Sequence, residues 1–362
     1  MAFLEYRNVR IAGMAAGVPE NTVSNYTLKQ GVDISADYTP EAFVEATGVQ
    51  ERRCSDTLCT SDLCYAAAER LIADLKWDKQ EIDAIVFVSQ RPDYILPATA
   101  CILQDRLELS KECYAEDVSL GCSGWVYGLS NVVSMVSTGS IRKALLLAGD
   151  GRKWADMKRE PLFGDAGTVT ALEHSSEEVP PIRFHFGTDG SGYDAIIVPD
   201  GGCRNQVSHD SFTLKEEEDG KVRGRLYTHM KGMDVFSFGI TTAPKSIRKL
   251  SEHYGFDYQE CDYFVFHQAN MKMNNMIIKK LKLPPEKVPS CMSHFGNTSS
   301  ASIPLTIVSQ LQNISGKGKA KFLCCGFGVG LSWGTVAFEV DDFVISSLVE
   351  VSDQETDTKH VV

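Results

Sequence analysis

No run in this chain approaches the roughly 20 consecutive apolar residues that a bilayer-crossing helix needs. The opening Met-Ala-Phe-Leu-Glu-Tyr-Arg has no basic, apolar and cleavage-site order of the kind a secretory leader carries. Positive charge is in deficit, with 36 Lys and Arg against 48 Asp and Glu and a net charge of −12. That balance excludes general nucleic-acid binding, which needs clustered cations to neutralise phosphates. Cys54, Cys59 and Cys64 are evenly spaced but are not C-x2-C pairs, and no histidine stands nearby to complete a tetrahedral metal set. The cysteines number eleven, an odd count without a regular framework, so reduced thiols and a cytoplasmic protein are expected. What the 362 residues do have is a 43% hydrophobic content, enough to bury one double-sized core or two ordinary ones.

Strand-like apolar runs alternate with helical segments, clearest at Ala84–Val88, Ala144–Ala148, Tyr263–Phe266 and Phe322–Cys325. Such alternation implies an α/β architecture with buried, largely parallel strands. An internal echo accompanies it: Glu81-Ile-Asp-Ala-Ile-Val-Phe-Val aligns with Glu260-Cys-Asp-Tyr-Phe-Val-Phe-His. Farther on, Lys143 to Gly149 and Lys321 to Gly326 are both basic-flanked strands ending in glycine, at nearly equal separations. Two duplicated halves are therefore expected, 1–175 and 176–345, joined near the polar, proline-rich stretch from His174 to Pro181. Residues 200–225 are expected to form a surface excursion, and 346–362 a flexible tail, frayed beyond Val349.

Three residues invite chemistry. Cys122 sits in a Gly-Cys-Ser-Gly turn between a strand-like run and a long apolar helical stretch from Trp125 to Val136. A helix N-terminus favours thiolate over thiol, and a thiolate can take an acyl group. A buried small hydrophobe is the plainer account of any single cysteine. His267 closes the strand Phe264-Val-Phe-His, where α/β sheets meet ligands, although core histidines occupy such places too. Asn297 follows glycine in Phe295-Gly-Asn-Thr-Ser-Ser-Ala-Ser-Ile-Pro304, with hydroxyl residues behind it that suit a helix cap; alone it would pass for a turn asparagine. The run Gly326-Phe-Gly-Val-Gly-Leu-Ser-Trp-Gly334 lacks the features of a phosphate loop or dinucleotide fingerprint, so close backbone approach to a carbonyl oxygen is the better account.

Together these segments resemble the β-ketoacyl-acyl carrier protein synthase III family of the thiolase-like superfamily. The resemblance spans about residues 8–340 and includes Phe163-Gly-Asp165 and Met230-Lys-Gly-Met-Asp-Val-Phe236. It implies a five-layered αβαβα fold made from two duplicated halves, a homodimer, and the catalytic set Cys122, His267 and Asn297. It also implies an oxyanion hole from the backbone N–H groups of Cys122 and Val329, the latter standing where many members carry glycine. The implied substrates are an acyl-CoA or acyl-carrier thioester and malonyl-acyl carrier protein, with no metal, flavin or nicotinamide cofactor.

Two departures bear on substrate. Where acetyl-CoA-primed members sandwich adenine between a Trp and an Arg, this chain has Phe43 in a segment one residue shorter, with no arginine before Gly48. The cation–π partner is missing, so a carrier protein or another enzyme is a candidate source of the primer. Leu96 stands at the position that closes the acyl pocket across the dimer interface, often Phe in acetyl-specific members. With Ile95 and Trp125 it is assigned to the acyl pocket or gate, and a medium-chain primer is expected unless Ile95 and Tyr94 refill the space. Lys245, Arg248, Lys249 and Lys272 are assigned to thioester or carrier binding, since an acidic carrier needs a basic patch even on an acidic protein. Rival readings are an acyltransferase delivering the Cys122-bound group to a hydroxyl or amine, a hydroxymethylglutaryl-CoA synthase, and a non-catalytic pocket-shaping subunit. Retention of Cys122, His267 and Asn297 together disfavours the last.

Overall fold

The computed structural model describes residues 2–30, 33–34, 38–151, 160–216 and 222–361. The first half contributes β1 (Ala2–Tyr6), β2 (Val9–Pro19), the short β3 (Thr22–Ser24) and β4 (Glu51–Arg53), then β5 (Ala84–Val88), β6 (Tyr114–Val118), β7 (Lys143–Asp150) and β8 (Ala166–His174). The second contributes β9 (Ile182–Thr188), the short β10 (Ile196–Ile197), β11 (Lys215–Glu216), β12 (Val222–Arg223) and β13 (His229–Met230), then β14 (Tyr263–Phe266), β15 (Ala320–Gly328), β16 (Ser332–Val340), β17 (Val344–Ile345) and β18 (Val349–Val351). The helices are α1 (Pro40–Thr47), α2 (Thr60–Leu75), α3 (Thr99–Arg106), α4 (Gly124–Ser137), α5 (Gly232–Tyr254), α6 (Met271–Leu281), α7 (Met292–Phe295) and α8 (Ser302–Gln310).

Two mixed sheets share one strand order. The first runs β17-β2-β8-β7-β5-β6, with β18 also on β2; the second runs β1-β9-β16-β15-β14. Within them, β2-β8-β7-β5 matches β9-β16-β15-β14, strand for strand and direction for direction. In each, a parallel pair (β5 with β7, β14 with β15) is followed by two antiparallel neighbours. The acidic residues of the sequence echo do the same work in both halves. Asp83 N–H donates to the Lys143 carbonyl at 2.9 Å, and its carboxylate accepts from the Arg142 and Lys143 N–H groups. Asp262 N–H likewise donates to the Lys321 carbonyl at 2.9 Å, and its carboxylate accepts from Lys321 N–H at 2.8 Å. Each aspartate thus locks the start of its parallel strand pair.

Strand β5 is buried at every position, as expected where helices cover both faces of parallel strands. Between the sheets, α4 and α8 bury Val126, Leu129, Val133, Ile303 and Ile307 in one cluster with side chains of both sheets. Outside the first sheet, α2 and α3 bury Ala67, Leu71 and Leu103 against Phe87 and Leu147. Outside the second, α5 and α6 pack Ile247 and Ile277 on Phe264 and Leu323. The result is the five-layered αβαβα arrangement. Among the described residues no helix is long and apolar enough to cross a membrane.

One expectation needs correction. The tail beyond Val349 is not frayed: β18 pairs with β2, and Val351 is buried with Leu58 and Leu63, because its valines continue the alternation of a half-buried strand. The 200–225 excursion, of which residues 217–221 lie outside the described set, is largely exposed, as expected. Within it, the Asp200 carboxylate pairs with Arg225 at 2.9 Å and accepts from Ser211 Oγ at 2.8 Å, fastening the two ends of the excursion to each other.

Candidate active site

Cys122 lies in the turn between β6 and α4, two residues before the helix begins. The helix comes close to β5 there, since a Cβ on Gly124 would stand 2.7 Å from Val88 Cγ1. The glycine-rich run packs on the same turn. Ser332 Oγ lies 2.7 Å from Ser123 Oγ and donates to the Val329 carbonyl at 2.7 Å. This engages the Val329 carbonyl and seats the end of β15 against the cysteine.

His267 extends β14 by one residue, its N–H donating to the Cys325 carbonyl of β15 at 2.9 Å. Its side chain is buried, with Nδ1 2.8 Å from Ser302 Oγ at the start of α8 and the ring edge-on to Phe327. Burial pushes the imidazole down to about 4, opposed by a hydrogen bond with the Ser299 backbone. The ring is therefore neutral near pH 7.

Asn297 is held from both sides of the chain. Its N–H donates to the Leu162 carbonyl at 2.9 Å, and its carbonyl accepts from Gly164 N–H at 3.2 Å. The Phe163-Gly-Asp165 segment is thus the shelf on which Asn297 sits, with Asp165 Oδ2 accepting from Ser55 N–H at 3.0 Å. Asn297 Oδ1 accepts from Ser299 N–H at 2.9 Å. With the amide oxygen so occupied, the NH2 end is the part of the side chain left to serve as a donor.

Cys122, His267, Asn297, Phe327, Gly328 and Val329 all line one cavity of about 1220 Å³. Residues more than 200 positions apart thus converge on a thiol, a neutral imidazole, a fixed amide and a backbone turn. Ile95 and Val198 also line this cavity, as do Val207 and Phe212 from the 200–225 region.

Other assigned residues fall elsewhere. Trp125 is corrected: it is 1% exposed, donates from Nε1 to Thr170 Oγ1 at 3.0 Å and packs on Phe338, so it belongs to the core between the sheets. Its place on the first turn of α4 aims it at β8 and β16 rather than at the thiol's cavity. Leu96 is 80% exposed and stands outside the lining of its own chain's cavity. Phe43 is half-buried on α1, which packs against α6, and also lies outside the lining. Lys245 and Arg248 are exposed on α5, and Lys272 is exposed on the neighbouring α6. Lys249 departs from them; it is half-buried and close enough to His185 to help burial lower that imidazole to about 4. Ser302 and Ser299 were visible only as a hydroxyl-rich run; their roles toward His267 and Asn297 depend on where α8 meets β14.

Two duplicated halves, with a cysteine at the start of a buried helix and a His and Asn facing it, define a condensing enzyme of the thiolase-like superfamily. Residues 116–190 match the family described as 3-oxoacyl-[acyl-carrier-protein] synthase III, and residues 251–340 match its C-terminal family. A β-ketoacyl-[acyl-carrier-protein] synthase III of Symbiobacterium thermophilum is 31% identical over 339 residues, covering 92% of this chain and 98% of the relative. The crystal structure of a 3-oxoacyl-(acyl-carrier protein) synthase from Burkholderia xenovorans superposes with a TM-score of 0.87 at 36% identity, covering 97% of this chain and 99% of that one. The synthase III of Pseudomonas aeruginosa gives 0.77 at 30% identity, over 92% and 98% of the two chains. The chain belongs to the β-ketoacyl-[acyl-carrier-protein] synthase III family.

Proposed function

We propose that this chain catalyses the decarboxylative condensation of an acyl primer with malonyl-acyl carrier protein, giving a β-ketoacyl-carrier product and carbon dioxide. The Cys122 thiolate attacks the primer thioester carbonyl, and the donor thiol leaves. The oxyanion of that tetrahedral intermediate is met by the backbone N–H groups of Cys122 and Val329. Malonyl thioester then loses its carboxylate as carbon dioxide, and the electron pair of the broken C–C bond passes into an enolate. His267 and Asn297 donate to the enolate oxygen. The carbanion carbon attacks the acyl-cysteine, a new C–C bond forms, and the thiolate returns. Every donor in these steps is a thiol, imidazole, amide or backbone group of the chain, so the sequence of steps calls on no metal or redox cofactor.

The observation that carries this reading is the orientation of Asn297 by Ser299 N–H in the same cavity as His267. We assign Ser302 Oγ as the donor to Nδ1, which puts the single proton of the neutral His267 ring on Nε2. Two neutral donors then suit an oxygen whose charge builds during decarboxylation. Delivery of the acyl group to a hydroxyl or amine would not need that pair.

The cavity volume supports a primer longer than acetyl, with Ile95 in its wall and Leu96 reaching a partner subunit of a homodimer. Lys245, Arg248 and Lys272 form the landing face for an acidic carrier, with Phe43 on the adjoining α1 against the pantetheine arm. A cytoplasmic placement accords with eleven cysteines that form no disulfide. The repeated strand order supports descent of halves 1–175 and 176–345 from one duplicated unit.

Intact-protein mass spectrometry tests the reading. After exposure to acyl thioesters of increasing length, Cys122 should carry the acyl mass. A malonyl-carrier chase should remove it while β-ketoacyl product appears on the carrier. An adduct that survives the chase but leaves with alcohols or amines would make the protein a simple acyltransferase instead.

A further inference from the structure

The family match stops at residue 340, and the chain runs on. After β18 it turns back across the ends of α2 and α3. Its anchor is a buried ion pair. Arg106 and Asp62 meet at 3.0 Å with side chains 8% and 2% exposed, and the Tyr65 ring lies 4.6 Å from the guanidinium. Such a pair stays burdened by desolvation unless further hydrogen bonds complete it. The tail supplies them: Asp357 Oδ2 stands 3.4 Å from Arg106 Nε, and Asp357 N–H donates to Asp62 Oδ1 at 3.2 Å.

The segment is pinned again three residues on. His360 Nδ1 is 2.8 Å from Asp357 Oδ2 and its Nε2 3.2 Å from Asp105 Oδ2, while Lys359 pairs with the same Asp105. The His360 carbonyl accepts from the hydroxyl of Tyr94, in the loop that also carries Ile95. Thr356, Asp357, His360 and Val361 thereby line the cavity that contains Cys122.

We propose that residues 353–361 are a strap that forms one wall of the acyl chamber, with His360 and Val361 determining which primers fit and Tyr94 held in position by the strap. The inference deepens the condensing-enzyme reading and rests on it. The mechanism is steric. A wall of side chains rejects an acyl chain that is one or two methylenes too long, and a methylene in an apolar pocket discriminates by roughly 10- to 200-fold. The hydrogen bonds and ion pairs that anchor residues 357–360 of the strap run to Asp62, Tyr94, Asp105 and Arg106 rather than to His267 or Asn297, so it selects the primer without taking part in decarboxylation.

Three proteins test it: the full chain, the chain ended after Ser352, and Asp357→Ala, which removes the carboxylate that joins the strap to Arg106. Each is given a ladder of straight-chain acyl thioesters on both coenzyme A and acyl carrier protein, and the Cys122 adduct and kcat/KM are measured for every length and both donors. Both variants should gain about tenfold or more, relative to the shortest donor, on chains beyond the full protein's cut-off. The same relative profile in all three would overturn the proposal. Should the shortened chain fail to fold, Asp357→Ala decides alone, an unshifted profile again overturning it. Folded protein with no Cys122 adduct at any length would instead sink the condensing-enzyme reading, and this inference with it.

Discussion

A Cβ placed on Gly328 would stand 2.5 Å from the Cys122 Cβ and 2.8 Å from its Sγ. The end of β15 therefore presses bare backbone against the nucleophile, and the thiol's neighbourhood is defined by a strand almost entirely distant from it in sequence. Gly328→Ala must displace either the thiol or the Val329 turn, since carbon atoms cannot approach so closely. Cys122 acylation by an acyl thioester should slow by about 100-fold or more, the order seen when a single oxyanion donor is lost. Quench-flow mass spectrometry of the acyl-enzyme, beside a melting curve showing retained fold, checks this.

Asn297→Ala removes the amide that Ser299 orients. Transfer of the primer to Cys122 should survive nearly intact, whereas carbon dioxide release from malonyl-carrier should fall by about 10²–10³-fold. Measuring the two half-reactions separately tests the assignment. An equal loss in both would place Asn297 in the first oxyanion hole instead.

Ser302→Ala leaves His267 without its Nδ1 partner. The decarboxylation half-reaction should drop by about tenfold with acylation unchanged, because the ring loses the bond that holds its tautomer and orientation. Ser302→Thr, which retains the hydroxyl, should recover part of the rate if the added methyl is accommodated. Loss of both half-reactions together would point to a packing defect.

The lowered imidazole of His267 makes a pH prediction. In the unfolded chain a histidine takes its proton near 6.5, but in the folded protein only near 4. Between those values the unfolded state binds more protons, so stability rises with pH across this window and is lost as pH falls through it. The contribution is on the order of 3 kcal/mol. The buried His185, also lowered to about 4, acts in the same direction. Denaturant unfolding at pH 7, 6, 5 and 4 should show the midpoint dropping steadily. An NMR titration should find no His267 transition near 6.5.

The exposed cations Lys245, Arg248 and Lys272 should matter only for carrier substrates. Lys245→Glu combined with Arg248→Glu should raise KM for malonyl-carrier about tenfold, most strongly at low salt, and leave acylation by acyl-CoA unchanged. Lys249→Glu, at the half-buried position beside His185, should cost stability more than carrier affinity.

Much was legible in order along the chain. The thiol in a Gly-Cys-Ser-Gly turn, the histidine closing an apolar strand and the asparagine after glycine each signal through neighbours within a few residues. Turn, strand and helix signals act over that range. The echo of Asp83 by Asp262 was visible for the same reason, because each locks its own strand start. Trp125 was misplaced because periodicity says that a helix is buried without saying which neighbour each face meets. Its partner, Thr170, lies on a strand 45 residues away.

By itself the sequence determined the α/β alternation and the internal echo, which follow from local hydrophobic pattern. Its motifs of adjacent residues carried the family resemblance that points to the five-layered fold and to the residues proposed to react. Only the tertiary structure decided that Ser299 turns the Asn297 amide, that Ser302 holds His267 and that Gly328 presses on Cys122. It alone decided that a tail of polar residues returns to wall the cavity, through an Asp357 that completes the buried Arg106–Asp62 pair. These contacts join segments tens to hundreds of residues apart, or depend on backbone geometry set by such segments. Their geometry follows from sheet register and helix packing, which no short stretch of chain specifies.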